Sequence, residues 1–372
     1  MALEGRLRVG IIFGGRSGEH EISIRSARSV VAAIDLSRFD VTIIGIDRSG
    51  RWHLHREDAF HRLGKAVAGG DATEVLLAPR GGGYALIDMA APQQTLPSVD
   101  VVFPVLHGPF GEDGTIQGLL DMLGVPYVGA GVLGSAVGMD KDVQKRLLCE
   151  AGLPVVRFEV VTQAAWERDA AIVRERARRL GTPVFVKPAN LGSSVGISKV
   201  RVESELDAAI GHALAYDRKI LIEQGIEARE IECAVLGNDE PRASLPGEIL
   251  PAAEFYSYHA KYSDRSDARL VIPASLSPQL CEAVQAMSIQ VFQVLDCAGM
   301  ARVDYFLERG SDRLYVNELN TIPGFTSISM YPKLWEASGL SLSDLISRLI
   351  DLAIERHEKR RELHRHGECR DG

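Results

Sequence analysis

Two late segments of the 372-residue chain carry its densest chemistry, "ARVDYFLE" (301–308) and "RLYVNELN" (313–320). Read as strands, the first puts Arg302 and Asp304 on one face and Val303, Tyr305 and Leu307 on the other, because successive side chains alternate. The second puts Glu318 and Asn320 together. On neighbouring strands, Asp304, Glu318 and Asn320 would form a cluster of hard oxygen donors of the kind that suits Mg²⁺, an ion usually shared with substrate phosphates. A polar sheet face carrying a surface salt bridge would read the same way. The loop "TIPGFTS" directly after Asn320 favours the metal reading, since loops at strand ends commonly carry function.

The segment "FVKPANLGSSVGISKV" (185–200) has phosphate-binding ingredients in an unusual order. A Walker A loop needs its lysine after the glycines and at the start of a helix, whereas Lys187 precedes them and strand-like residues follow Gly196. The segment therefore reads as a loop between two strands whose N–H groups could fold over a phosphate. A second glycine series, Gly129, Gly131 and Gly134, satisfies G-x-G-x-x-G, but the acidic residue of a dinucleotide site is missing from a following strand end. "HGPFGEDGT" (107–115) follows a buried-type strand, at the strand end where open α/β sheets bind ligands, and "GGRSGEHEIS" (14–23) resembles it. Glu19, His20 and Glu21 could equally be acids and neighbours at a helix N-terminus, and the trio lacks the helical-turn histidine pair of a zinc site.

The elements that must position these residues follow from periodicity. An apolar run, a glycine turn and an amphipathic helix open the chain, "VTIIGI" and "VDVVFPVL" add buried-type strands, and the region 48–98 reads only as a hairpin or loops. The rhythm favours an open, mostly parallel sheet over residues 1–138. A helix at "KDVQKRLLCEAGLP" marks a hinge, after which 139–228 reads as a small α+β unit and 229–372 as a larger one holding the acidic strands. Such a length exceeds one ordinary core at roughly 150 residues per domain. Apolar content of 46%, a net charge of −8 and five unpaired-looking cysteines argue for a soluble, reduced, cytoplasmic protein and against nucleic acid as partner. No apolar run approaches the roughly 20 residues that span a bilayer.

Seven segments in order, between about Arg8 and about Leu349, resemble the D-alanine:D-alanine ligase family of the ATP-grasp superfamily: "GGRSGEHEISIRS", "HGPFGEDGTIQGLLDMLGVPYVGAGVLGSAVGMDK", "VKPANLGSSVGISKV", "EQGIEAREIECAVLG", "EFYSYHAKYSD", "ARVDYFL" and "NELNTIPGFTSISMYP". The resemblance implies an ATP-grasp fold of mixed α/β and α+β class, in which two α+β subdomains clamp ATP behind an N-terminal open parallel α/β domain. Lys141 and Lys187 would contact the phosphates, Lys261 the transferring phosphoryl group, Glu223 with Gln224, Gly225 and Ile226 the adenine, and Glu230 the ribose. Asp304, Glu318 and Asn320 would hold two Mg²⁺ ions, with Mn²⁺ able to substitute. Arg302 and the N–H of Gly324 would support an oxyanion, Glu19 would take the ammonium of a first D-alanine with His107 nearby, and Ser329 with Met330 would receive the second D-alanine. Ser193 and Tyr262 would latch onto Glu19, and Tyr262 implies a dipeptide rather than a D-lactate product. The implied activity is ATP-dependent synthesis of D-alanyl-D-alanine for peptidoglycan, by a cytoplasmic homodimer. The alternative is a carboxylate–amine ligase of the same superfamily with another amino acid or a hydroxy acid as second substrate.

Overall fold

The computed structural model describes residues 5–67, 72–80, 83–192, 195–250 and 269–368. The opening run forms β1 (Leu7–Gly14) and, past the glycine turn, α1 (His20–Ala33); β2 (Phe39–Ile46) then pairs parallel with β1. The region with weak signals folds as β3 (Trp52–His55), α2 (Glu57–Arg62), β4 (Thr73–Arg80), β5 (Gly83–Asp88) and β6 (Ser98–Val99). β7 (Val101–Val105) adds parallel to the other side of β1, giving the order β6-β5-β4-β3-β2-β1-β7. Only β2, β1 and β7 run parallel, and β3 to β6 extend the sheet antiparallel. The expected mostly parallel sheet is therefore a mixed one. For β4 and β5 the physical reason is connection length, since the short link from Arg80 to Gly83 allows a hairpin and not the dozen or so residues of a crossover.

α3 (Thr115–Leu123) matches expectation, whereas α4 (Val132–Met139) was hidden by its glycines. Those glycines serve packing. A Cβ on Gly134 would lie 2.3 Å from the carbonyl oxygen of Asp296, and one on Gly138 would lie 2.7 Å from Thr321 Cγ2. The G-x-G-x-x-G series thus ends in a helix pressed against the C-terminal unit, with no dinucleotide turn.

α5 (Lys141–Glu150) starts at Asp140, whose side chain accepts from the N–H groups of Asp142 and Val143. After it come β8 (Phe158–Thr162), α6 (Gln163–Arg168), α7 (Ala170–Arg178), β9 (Val184–Pro188), β10 (Ser198–Val200), α8 (Leu206–Leu214) and β11 (Lys219–Gln224). A single helix was expected across α6 and α7; Asp169 divides it by capping Ile172 N–H. The four strands form an antiparallel sheet, β10-β9-β11-β8, with its own core of Val161, Val173, Val186, Ile210 and Ile222. Leu148 of α5 packs elsewhere, among Ile231, Val303 and Leu319 of the next unit.

That unit contains β12 (Ala228–Gly237), β13 (Arg242–Ala243), β14 (Gly247–Leu250), β15 (Arg269–Val271), β16 (Gly299–Glu308) and β17 (Leu314–Asn320). The order is β15-β14-β12-β16-β17, with β13 paired to β12. Helices Pro278–Val294, Met330–Ala337 and Leu342–Glu368 cover it, and the second of these was not expected from sequence. Leu345, Ile346, Leu349 and Ile350 of the last helix share one core with Val9, Ile11 and Phe13 of β1 and Met300 of β16. The first and last units are therefore fused by burial, while the four-stranded sheet keeps a separate core. Among the described residues no helix is long and apolar enough to cross a membrane.

Candidate active site

β16 and β17 place Asp304 opposite Glu318 and Arg302 opposite Asn320. The pairing slips between Asp304 and Tyr305, because Tyr305 faces Val316 and Asn317 is the extra residue. This bulge matters. Strict alternation would send Val316, Glu318 and Asn320 to one face, yet Val316 is fully buried in the core beside Tyr305 while Glu318 lies across from Asp304. Asn317, at the bulge, accepts from Lys187 Nζ at 3.4 Å. Arg302 donates to both Asp304 oxygens at 2.6 and 2.7 Å and sits 2.9 Å from Glu232 Oε2, and Asn320 Nδ2 donates to Asp304 at 3.0 Å.

The phosphate-type lysines approach from the four-stranded unit. Lys141 begins α5, donates to the carbonyl of Leu191 at 2.6 Å and lies 3.3 Å from Glu318 Oε2. Lys187, next to last in β9, has its Nζ 2.8 Å from Glu223 Oε2. A third cation was not expected from sequence: Lys145, one helical turn beyond Lys141, is fully buried 3.2 Å from Glu223 Oε1 and faces the Phe158 ring. Burial pushes the Glu223 carboxyl up, but Lys145 and Lys187 outweigh it and hold the group below its ordinary value. Burial also lowers the Lys145 ammonium despite Glu223. An i, i+4 lysine pair in a helix was the signal available for it. Beyond Glu223, the N–H of Gln224 bonds to Arg157 O and that of Gly225 to Pro183 O, at 2.9 and 2.8 Å, so Gln224, Gly225 and Ile226 form a fixed strap leading to Glu230 on β12.

On the opposite wall, Glu19 precedes α1 and is 9% exposed. A Cβ on Gly108 would come within 2.6 Å of its Oε2, and one on Gly192 within 3.3 Å, so its carboxylate lies between the "HGPFG" loop and the glycine-serine hairpin. Ser193, Lys261 and Tyr262 lie outside the described residues. His107 is only 4% exposed, and both ring nitrogens are engaged, Nδ1 with Ile322 O at 3.1 Å and Nε2 with Ser26 Oγ at 3.0 Å. Ser26 Oγ in turn accepts from Phe325 N–H at 3.2 Å. Burial pushes this histidine down to about 4, so its neutral ring donates from Nδ1 and accepts at Nε2. These bonds tie it to the loop that holds Gly324. Glu112, also unforeseen, is tied there too, accepting from Gly108 N–H at 2.7 Å and Ile322 N–H at 3.2 Å. Burial and the nearby Glu19 raise its carboxyl to about 8.

Ser329 stands at the N-cap position of helix Met330–Ala337 without a side-chain bond to its first turn, and its Oγ instead accepts from Thr326 N–H at 3.0 Å. A Cβ on Gly324 would stand 2.8 Å from that oxygen, so this glycine leaves its own backbone close to the Ser329 hydroxyl. Met330 is buried with its Sδ against Gly247.

Among the described residues no three His, Cys, Asp or Glu side chains form a metal cluster. Asp304 and Glu318 supply two carboxylates and Asn320 an amide oxygen, a set whose remaining positions need water or phosphate oxygens. That donor set fits Mg²⁺ held jointly with a nucleotide, and in this structure the carboxylate charge is met by Arg302 and Lys141.

The sequence matches the profile of the "D-ala D-ala ligase N-terminus" family over residues 8–130 and that of the "D-ala D-ala ligase C-terminus" family over 147–351. It is 51% identical over 360 residues to D-alanine–D-alanine ligase A of Escherichia coli strain K12, covering 95% of this chain and 97% of that one. It is also 51% identical over 365 residues to D-alanine–D-alanine ligase of Shouchella clausii, covering 96% and 97%. The D-alanine-D-alanine ligase structure from Coxiella burnetii superposes with TM-score 0.82 at 39% identity, covering 98% of this chain and 99% of that one. VanG D-Ala:D-Ser ligase from Enterococcus faecalis superposes with TM-score 0.81 at 34% identity, covering 94% and 100%. Matched by both family profiles and by relatives of 51% identity over nearly its whole length, the chain belongs to the D-alanine–D-alanine ligase family.

Proposed function

We propose that this protein joins two D-alanine molecules into D-alanyl-D-alanine, converting ATP to ADP and phosphate, as a cytoplasmic enzyme of peptidoglycan precursor synthesis. The observation that carries the proposed geometry is the hydrogen-bonded chain from His107 and Glu112 to Ile322 and Phe325, which ties the Glu19 wall to the Gly324 loop beside Arg302. A carboxylate is a poor acylating group because oxide would have to leave. Transfer of the ATP γ-phosphoryl group to the first D-alanine carboxylate gives an acyl phosphate, whose phosphate can leave when the amine of the second D-alanine attacks and gives up its proton.

Glu19 holds the ammonium of the first D-alanine and with it the handedness. Lys141 and Lys187 exchange their present partners, Glu318 and Glu223, for phosphate oxygens, and Glu223 through Ile226 with Glu230 orient the nucleoside. Bound between Asp304, Glu318 and Asn320, Mg²⁺ would neutralise charge on the donor phosphates. Arg302 and the Gly324 N–H face the developing oxyanion, where one such donor is worth about 3 kcal/mol. Ser329 and the first turn of the helix behind it receive the second carboxylate. Ser193, Lys261 and Tyr262 complete the closure that keeps water from the acyl phosphate. The units 1–138, 139–228 and 229–372 serve as substrate wall, nucleotide lid and metal-bearing base.

Phosphate release from Mg·ATP with D-alanine, with L-alanine and with no amino acid is the direct test. Release that depends on D-alanine is expected, and equal rates in all three would sink the reading. Competition of D-serine or D-lactate against D-alanine, scored by product mass, separates the dipeptide ligase from one with another second substrate. Exposed Leu119, Met122 and Leu133 on α3 and α4 form the face proposed for a homodimer. Light scattering should report a dimer that Met122→Glu with Leu133→Glu reduces to monomer.

A further inference from the structure

β17 is the outermost strand of its sheet, so every second residue turns its N–H and C=O away from β16. At Leu319 these groups do not meet solvent. Gln144 of α5, fully buried, accepts Leu319 N–H on its Oε1 at 3.0 Å and donates from Nε2 to Leu319 O at 3.3 Å and to Gly138 O at 3.0 Å. Its amide therefore pairs with Leu319 as the peptide group of a further strand would. Leu319 lies between Glu318 and Asn320, and Gln144 lies three residues after Lys141, whose Nζ is 3.3 Å from Glu318.

We infer that Gln144 is a positioning residue for the metal-binding pair: by docking α5 onto the open edge of β17 it fixes where Glu318 and Asn320 stand relative to Lys141. The short β-bulge at Asn317 makes this contact consequential. It lets the strand change faces but leaves the segment 318–320 with pairing on the β16 side alone unless something covers the outer edge. A side chain lacking the amide would strand the buried N–H and C=O of Leu319 without partners and take a donor from the half-buried Gly138 carbonyl. The strand end would then shift to find them, carrying both ligands with it.

The inference rests on the metal reading of β17, and the experiment separates the two. Free Mn²⁺ is titrated by electron paramagnetic resonance against the full-length protein in the presence of adenylyl imidodiphosphate, for wild type, Gln144→Met and Gln144→Glu. Methionine keeps length and volume without hydrogen bonds, and glutamate keeps the acceptor for Leu319 N–H. With outer partners of a metal ligand lost, the Mn²⁺ Kd is expected to rise about 10-fold in Gln144→Met and by less in Gln144→Glu. Amide exchange at Leu319 should quicken in the same order, while the KM for D-alanine stays at the wild-type value. Unchanged Mn²⁺ affinity in Gln144→Met alongside faster Leu319 exchange overturns the positioning role and leaves the metal reading standing. Absence of saturable Mn²⁺ binding in the wild type overturns both. Should Gln144→Met not fold, the titration of Gln144→Glu decides, and a wild-type Kd there overturns the inference.

Discussion

Arg302 is held by two carboxylates, Glu232 and Asp304, and this bidentate grip aims the guanidinium along the face where the oxyanion is proposed to form. Arg302→Lys keeps the charge but loses the fork. Steady-state kinetics should show kcat lower by about 100-fold or more, with the KM for ATP little changed. His107 supplies a prediction in pH. The unfolded chain protonates it near its ordinary value of about 6.5, whereas the folded protein does so only at about 4. Between these values the unfolded state binds more protons, so its contribution to stability is full above 6.5 and is lost as pH falls towards 4. Urea titrations should register a loss on the order of 3 kcal/mol from this group, and His107→Gln should flatten the slope. Arg302, Asp304, Glu318 and Lys187 stood out by residue type and spacing, whereas Lys141, Glu223 and Glu230 were expected only from the family resemblance. Lys145 had only its i, i+4 spacing from Lys141 to point to it, and Glu112 and Gln144 had nothing, because a buried carboxyl or amide has no sequence signature until its partner is known.

Among the elements, those with clear periodicity formed where expected, and the exceptions have local causes. α4 was masked by glycines that a close helix contact requires, and Gly134→Ala tests this. The new methyl would press on Asp296 O, so denaturation should show a loss of about 1–3 kcal/mol, unlike the slight gain that alanine brings to a free helix interior. β17 is the instructive case. Its apolar residues, Leu314, Val316 and Leu319, are spaced by two and then by three, and the odd step is the trace of the bulge. Deleting Asn317 should restore strict alternation with Val316 still in the core and Glu318 still opposite Asp304, so Mn²⁺ binding should persist in the titration described above, and its abolition would count against this register.

For the whole molecule, periodicity shows that a face is buried but not against what, which is why the core shared by the first and last units was invisible in the sequence. Each unit happens to carry one tryptophan: Trp52, Trp166 and Trp335. Leu349→Ala empties space in the shared core and should cost about 2–5 kcal/mol. In variants retaining a single tryptophan, the Trp52 and Trp335 signals should unfold together at a lower urea midpoint while that of Trp166 holds its own. Three separate shifts of equal size would contradict the fused core. The last helix also sets an order in time. Roughly 300 residues separate the hydrophobic face of α1 from Leu345, so at ordinary elongation rates a ribosome needs roughly 15–60 s to deliver the piece that covers it. Until then the nascent first unit carries a bare apolar surface, and its maturation waits for the last helix to emerge rather than finishing when the first unit has been made.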